Sequence, residues 1–119
     1  MKTEIFSAEG TNIAEITSDK ILIRTIQDAL DLMVNCVYQG ADKIILHQEN
    51  IVPEFFDLKT RLAGEILQKF SNYRARLAIV GDFTDVKSKS LRDFIRESNK
   101  HGQVVFVTTT EEAKEKLAK

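Results

Sequence analysis

The chain has one cysteine, one proline, no tryptophan and no surplus of either charge, and each scarcity excludes something. A lone cysteine, Cys36, cannot close an intramolecular disulfide. It sits in an apolar run and reads as a small packed hydrophobe rather than a reactive thiol. With one proline and five glycines there is no linker and no low-complexity segment, and no repeat is found. No apolar run approaches the roughly 20 residues that a membrane-spanning helix needs. The first residues, Met1-Lys2-Thr3-Glu4, lack the apolar centre of a signal segment, so a cytoplasmic protein is expected. Seventeen basic against 18 acidic side chains leave a net charge of -1, with no global drive toward nucleic acid or an anionic membrane. The three spaced glycines of a dinucleotide site are missing, and so is a Gly-Lys-Ser phosphate loop. With two histidines and no nucleophile turn, Ser-His-Asp chemistry has no support. No cofactor and no metal is implied.

What is present is enough for one domain spanning 1–119. A chain of this length buries roughly two-thirds of the surface its unfolded form exposes. Residues 2–8 and 12–17 alternate polar and apolar across Glu9-Gly10-Thr11 and predict an antiparallel hairpin with one face buried. Ile21-Leu22-Ile23 is a strand stub or the buried approach to a helix. Thr25 and Asp28 have capping-box spacing. After them Ile26, Ala29, Leu30, Met33 and Val37 recur at helical intervals, and Leu32, Val34 and Cys36 widen the apolar surface. Little of this helix should face water. Gly40 can take a positive φ and stop it.

Lys43-Ile44-Ile45-Leu46 is too short for a helix and fits a strand buried on both faces. Pro53 suits a first helical turn. Phe55, Leu58, Leu62, Ile66, Phe70 and Tyr73 then step by three or four, predicting a helix over 53–73, about 31 Å long. A strand over 76–80 follows. Ser90 is expected to cap a helix carrying Leu91, Phe94 and Ile95, with Asp93 at the capping-box position and a stop at Asn99-Lys100-His101-Gly102. A strand over 104–107 and a helix opened by Thr109 and Glu112, packing Ala113 and Leu117 inward, complete the chain. The order ββαβαβαβα predicts an α/β fold in two or three layers. Its sheet of about five strands is mostly parallel and is opened by the antiparallel hairpin.

That order resembles the STAS-like fold of anti-sigma-factor antagonists and sulphate-transporter tails. Phe55-Phe56-Asp57-Leu58-Lys59-Thr60, residues 62–70 with Tyr73, residues 77–83, residues 88–95 and Glu97-Ser98-Asn99 are similar to an uncharacterised bacterial family, domain of unknown function number 4180. The second likeness implies a small bacterial cytosolic protein and carries no functional residues. The STAS likeness implies a phosphorylated Ser or Thr near the start of the helix after the central strand. The hydroxyl available in Asp57-Leu58-Lys59-Thr60-Arg61 is Thr60, but the Asp-Ser-Ser-Gly-like turn of the antagonists is absent.

Two groups of residues stand out. The polar strand ends His47-Gln48-Glu49-Asn50 and Gly81-Asp82-Phe83-Thr84 share the carboxyl edge of the sheet, where open α/β folds usually bind ligands. His47, Glu49 and Asp82 could do acid–base work there or hold a divalent metal. Polar residues also gather at strand ends because loops are solvated and Asn and Asp cap helices. The second group is Phe56, Asp57, Thr60 and Gly64. Gly64 inside a helix costs about 1 kcal/mol relative to Ala. Close packing within the chain is the first reading of this glycine; a face joining Asp57, Thr60 and Gly64, with Phe56 nearby, would otherwise suit a protein partner or a second copy. Lys87, Lys89, Arg92 and Arg96 with Ser88 and Ser90 form a basic cluster at a helix start that could hold a phosphate or be a solvated face. The expectation is a non-catalytic regulatory or protein-interaction domain. The alternative is a small-ligand- or metal-dependent enzyme working at His47, Glu49 and Asp82.

Overall fold

Three runs of β-branched and other apolar residues form strands with both faces covered. In the computed structural model, which describes all 119 residues, these are β3 (Lys43–His47), β4 (Arg76–Val80) and β5 (Val104–Val107). The hairpin strands β1 (Lys2–Ala8) and β2 (Thr11–Thr17) pair antiparallel, and every other pairing is parallel. The sheet order is β1-β2-β3-β4-β5, so each strand lies beside its sequence neighbour. Ile23 makes only an isolated parallel bridge to Ile51.

Strand alternation sorts the core into two parts. Ala14, Ile16, Ile44, Leu46, Leu77, Ile79, Val104 and Phe106 face a cluster of 19 buried residues. Helices α1 (Ile26–Tyr38) and α2 (Leu62–Asn72) cover that side, and α3 (Lys89–His101) adds Phe94 and Ile95 at its margin. Ile13, Ile45, Ala78, Val80, Val105 and Val107 face a smaller cluster, closed by Ala113 and Leu117 of α4 (Thr110–Leu117). The fold therefore has three layers, with one short helix as the third.

Three helix starts rest on hydroxyl caps that accept an N–H three residues on. They are Thr25 to Asp28 (3.0 Å), Thr109 to Glu112 (3.0 Å) and Ser88 to Leu91 (3.2 Å). The cap of α3 is thus Ser88, not Ser90. Ser90 is already helical, and Asp93 pairs with Lys89 and Arg96 instead of closing a box. Arg76 ties the far ends together. Its Nε donates to Gly102 O (2.8 Å), and its Nη2 donates to Lys116 O (3.2 Å) in the last turn of α4. A guanidinium there meets the negative ends of two helix dipoles.

The expected 53–73 helix is broken. Pro53–Phe56 and Leu58–Thr60 are separate 3-10 turns, and the α-helix begins only at Leu62. Asp57 is extended and caps the second turn through Lys59 N–H (3.2 Å), and Arg61 takes a left-handed φ of 65°. Each piece still turns apolar residues to the core: Phe55, Ile66 and Phe70 are buried, and Leu58 and Leu62 pack against them.

Candidate functional site

At the carboxyl edge of β3 and β4, most polar groups hold the fold. Asn50 is fully buried. Its Oδ1 accepts the His47 N–H (3.2 Å), and its Nδ2 donates to Ser18 O and Lys20 O (both 2.9 Å). One side chain thereby fastens the end of β3 to the segment leaving β2. Gln48 lies across Gly81 and accepts the Asp82 N–H through Oε1 (3.3 Å). A Cβ at residue 81 would sit 2.5 Å from that oxygen and 2.8 Å from the Gln48 Cβ, so the crossing requires glycine. Asp82 Oδ1 accepts from the Thr84 hydroxyl (2.6 Å) and N–H (3.1 Å). The hydroxyl first, then the amide, hold the Asp82 carboxyl below the ordinary carboxylate value.

A hollow of about 270 Å³ at this edge is lined by His47, Gln48, Glu49, Val80 and Gly81. The structure thus brings His47 and Glu49 to one hollow, while Asp82 turns to Thr84 outside its lining. No three His, Cys, Asp or Glu side chains are grouped so as to hold a metal ion.

Phe56, Asp57, Thr60 and Gly64 do not form a single helical face, because the break at Arg61 separates Gly64 from the other three. Phe56 is half-buried, its ring 5.0 Å from Phe55 and 6.0 Å from Phe83. The Thr60 hydroxyl points at Glu54 O (2.7 Å) and Asp57 O (2.8 Å) and accepts the Leu62 N–H (3.2 Å). It closes one turn and opens α2. Gly64 lies in the first turn of α2, and nothing stands within 4 Å of where its Cβ would be. Close packing within this chain is therefore not the reason for the glycine. It lines a hollow of about 250 Å³ with Leu67, Gln68, Ser71, His101 and Gln103.

The expectation that α1 is almost wholly buried fails on its outer side. Ala29, Met33 and Cys36 are buried, but Val34 and Val37 are 44% and 43% exposed and Tyr38 is 92% exposed. Tyr73, at the end of α2, is 55% exposed beside them. Met33, Val34, Val37, Tyr38 and Tyr73 line an apolar hollow of about 330 Å³. Sequence reasoning passed over Tyr38. The signal was available, because α1 carries apolar residues on more of its circumference than one packed sheet face can cover.

No helix is long and apolar enough to cross a membrane. No curated protein and no solved structure matches the chain. A family model described as "Domain of unknown function (DUF4180)" matches residues 8–117, nearly the whole chain. The chain belongs to that family.

Proposed function

We propose that this chain is a non-catalytic, regulatory protein-interaction domain of STAS-like type that associates with a second copy of itself through the outer face of α1 and the end of α2. The observation that carries this reading is the exposed apolar set Val34, Val37, Tyr38 and Tyr73. Apolar surface of this kind, centred on aromatic residues, has the composition of an interface core. A second copy is the proposed occupant because one patch carries both a projecting aromatic and an apolar hollow. Tyr38 projects almost fully beside a hollow of about 330 Å³. A two-fold axis would let the Tyr38 of each copy enter the hollow of the other. The order ββαβαβαβα and its resemblance to STAS-like domains support a role through contacts rather than chemistry, by analogy of fold.

Sedimentation velocity across the micromolar range tests the reading. The native protein should shift from monomer to dimer with concentration, and Tyr38→Glu should stay monomeric with an unchanged far-UV spectrum. A native protein that stays monomeric throughout, or a Tyr38→Glu variant that dimerises equally well, would overturn it.

A further inference from the structure

Residues 87–101 hold five Lys and Arg side chains against two carboxylates, in a chain whose net charge is -1. Arg92, Arg96 and Lys100 are spaced four apart and share one face of α3. They line a hollow of about 460 Å³ with Phe83, Ile95 and Asn99, and no carboxylate belongs to that lining. Asp93 and Glu97 stand one position further along: Asp93 pairs with Lys89 (3.0 Å) and Arg96 (2.8 Å) and Glu97 with Lys100 (3.7 Å). An anion in the hollow therefore shares Arg96 and Lys100 with these carboxylates, while Arg92 has no carboxylate partner.

The hollow is held in shape from three sides. Arg92 Nη1 donates to Val86 O (2.9 Å) and Lys87 O (3.0 Å), so its guanidinium is fixed at the rim with other donors left over. Phe83 stands perpendicular to Phe106 at 5.3 Å. Asn99 is tied to the backbone of Phe106. The hollow thus joins one guanidinium held by two loop carbonyls to two apolar side chains, Phe83 and Ile95. The volume falls within the range of small-molecule sites, and the lining is more polar than usual for them, with two apolar side chains among six.

We propose that this hollow binds a small organic anion. Its phosphate or carboxylate pairs with Arg92, Arg96 and Lys100, and its flat apolar body lies on Phe83 and Ile95. Fork-shaped guanidinium groups suit both anions. The site shares no residue with the α1–α2 face and stands or falls independently of it.

The test is a titration of ¹⁵N-labelled protein followed by amide shifts, with AMP as the phosphate probe, 1-naphthoate as the carboxylate probe and adenosine as the uncharged control. At least one anion should shift the amides of residues 81–88 and α3, saturably and more weakly at high salt. The tighter of the two identifies the anion source. Adenosine should bind at least ~10-fold more weakly than AMP where AMP is bound, and Arg96→Glu with Lys100→Glu should weaken the anion at least ~10-fold. Both residues are exposed, and Arg96→Gln with Lys100→Gln serves if the double charge reversal perturbs the fold. Absence of shifts with both anions overturns the proposal. So do shifts confined elsewhere, or an affinity that neither double variant lowers.

Discussion

Asn99 closes the free edge of the sheet by pairing its carboxamide with both backbone groups of Phe106. Its Oδ1 accepts the Phe106 N–H (2.7 Å), and its Nδ2 donates to Phe106 O (3.4 Å). One residue earlier, the buried Ser98 hydroxyl donates to Val104 O. In a parallel ladder alternate residues turn their backbone groups outward, so Val104 and Phe106 are the positions left open on the side away from β4. Helix α3 therefore supplies the missing neighbour strand from two side chains. The opposite edge, β1, carries exposed charges instead, with Lys2 and Glu4 3.1 Å apart.

Asn99→Ala should accordingly lower stability by about 1–3 kcal/mol, since it strands a donor and an acceptor at once. Asn99→Asp keeps the acceptor and should lose less. Urea unfolding followed by far-UV circular dichroism measures both. An Asn99→Ala midpoint equal to the native one would show that the edge does not need the amide.

The strands were legible because their signal is local. The apolar runs of β3, β4 and β5 stand between polar clusters, and each lies within a residue of its expected bounds. The helix caps Thr25 and Thr109 were legible for the same reason. Arg61 was not, because arginine carries no mark of the left-handed conformation that glycine would have signalled. The roles of Asn50 and Asn99 were hidden differently. Asn50 bonds to Ser18 and Lys20 some thirty positions away, and Asn99 bonds to a strand that follows it. In sequence both look like ordinary cap or loop residues. Of the candidate edge residues, His47 and Glu49 meet in one hollow, but that Asp82 would choose Thr84 depended on a local turn that spacing alone leaves open.

Gly64→Ala should stabilise the protein by roughly 0.3–0.7 kcal/mol, through better helix propensity and a less flexible unfolded chain. The new methyl meets open space. The gain falls short of a mid-helix value because residue 64 lies in the first turn of α2. A shift of the urea midpoint to higher concentration is the readout, and a downward shift contradicts the open geometry. Gly64→Leu should leave self-association intact if copies meet at Tyr38, and should reduce it if the glycine itself lies in the seam.

Gly81→Ala should act in the opposite direction. The added Cβ meets Gln48 at 2.5–2.8 Å and the Phe83 ring at 3.0 Å, and relief requires Gln48 to leave the Asp82 N–H. A loss of about 1–3 kcal/mol is expected, as for other overpacked sites. Thermal unfolding of the pair Gly64→Ala and Gly81→Ala, run together, should move the two midpoints apart. Movement in the same direction would contradict one of the two assignments.

Cys36 is buried against the sheet, and burial pushes its thiol up from 9.0 to about 11. The native state therefore favours the neutral thiol more than the unfolded state does. The stability this brings is complete below the unfolded value near 9.0 and declines as pH rises toward 11. Iodoacetamide at mildly alkaline pH should leave native Cys36 unmodified and alkylate it promptly in urea. Equal rates in the two states would mean that the α1 packing opens readily.

At the acid end the group to watch is Asp28. Its Oδ2 accepts the Arg24 N–H (3.0 Å) and lies 3.3 Å from the Arg24 Nε. The backbone N–H of Arg24 is the larger influence, and together with the side-chain contacts it holds the carboxyl below its ordinary 3.8. A depressed folded value means that the native state keeps the carboxylate where the unfolded chain would protonate it. The contribution is therefore fully present above 3.8 and is lost as pH falls through the lowered folded value. Asp28→Asn cannot titrate, so its loss of thermal stability as pH falls below 3.8 should be shallower than that of the native protein. Its stability at neutral pH should drop only modestly, because the amide oxygen can still accept the Arg24 N–H and Arg24 itself is exposed to screening solvent. Parallel acid slopes for the two proteins would show that the link from Arg24 to Asp28 adds nothing to the start of α1.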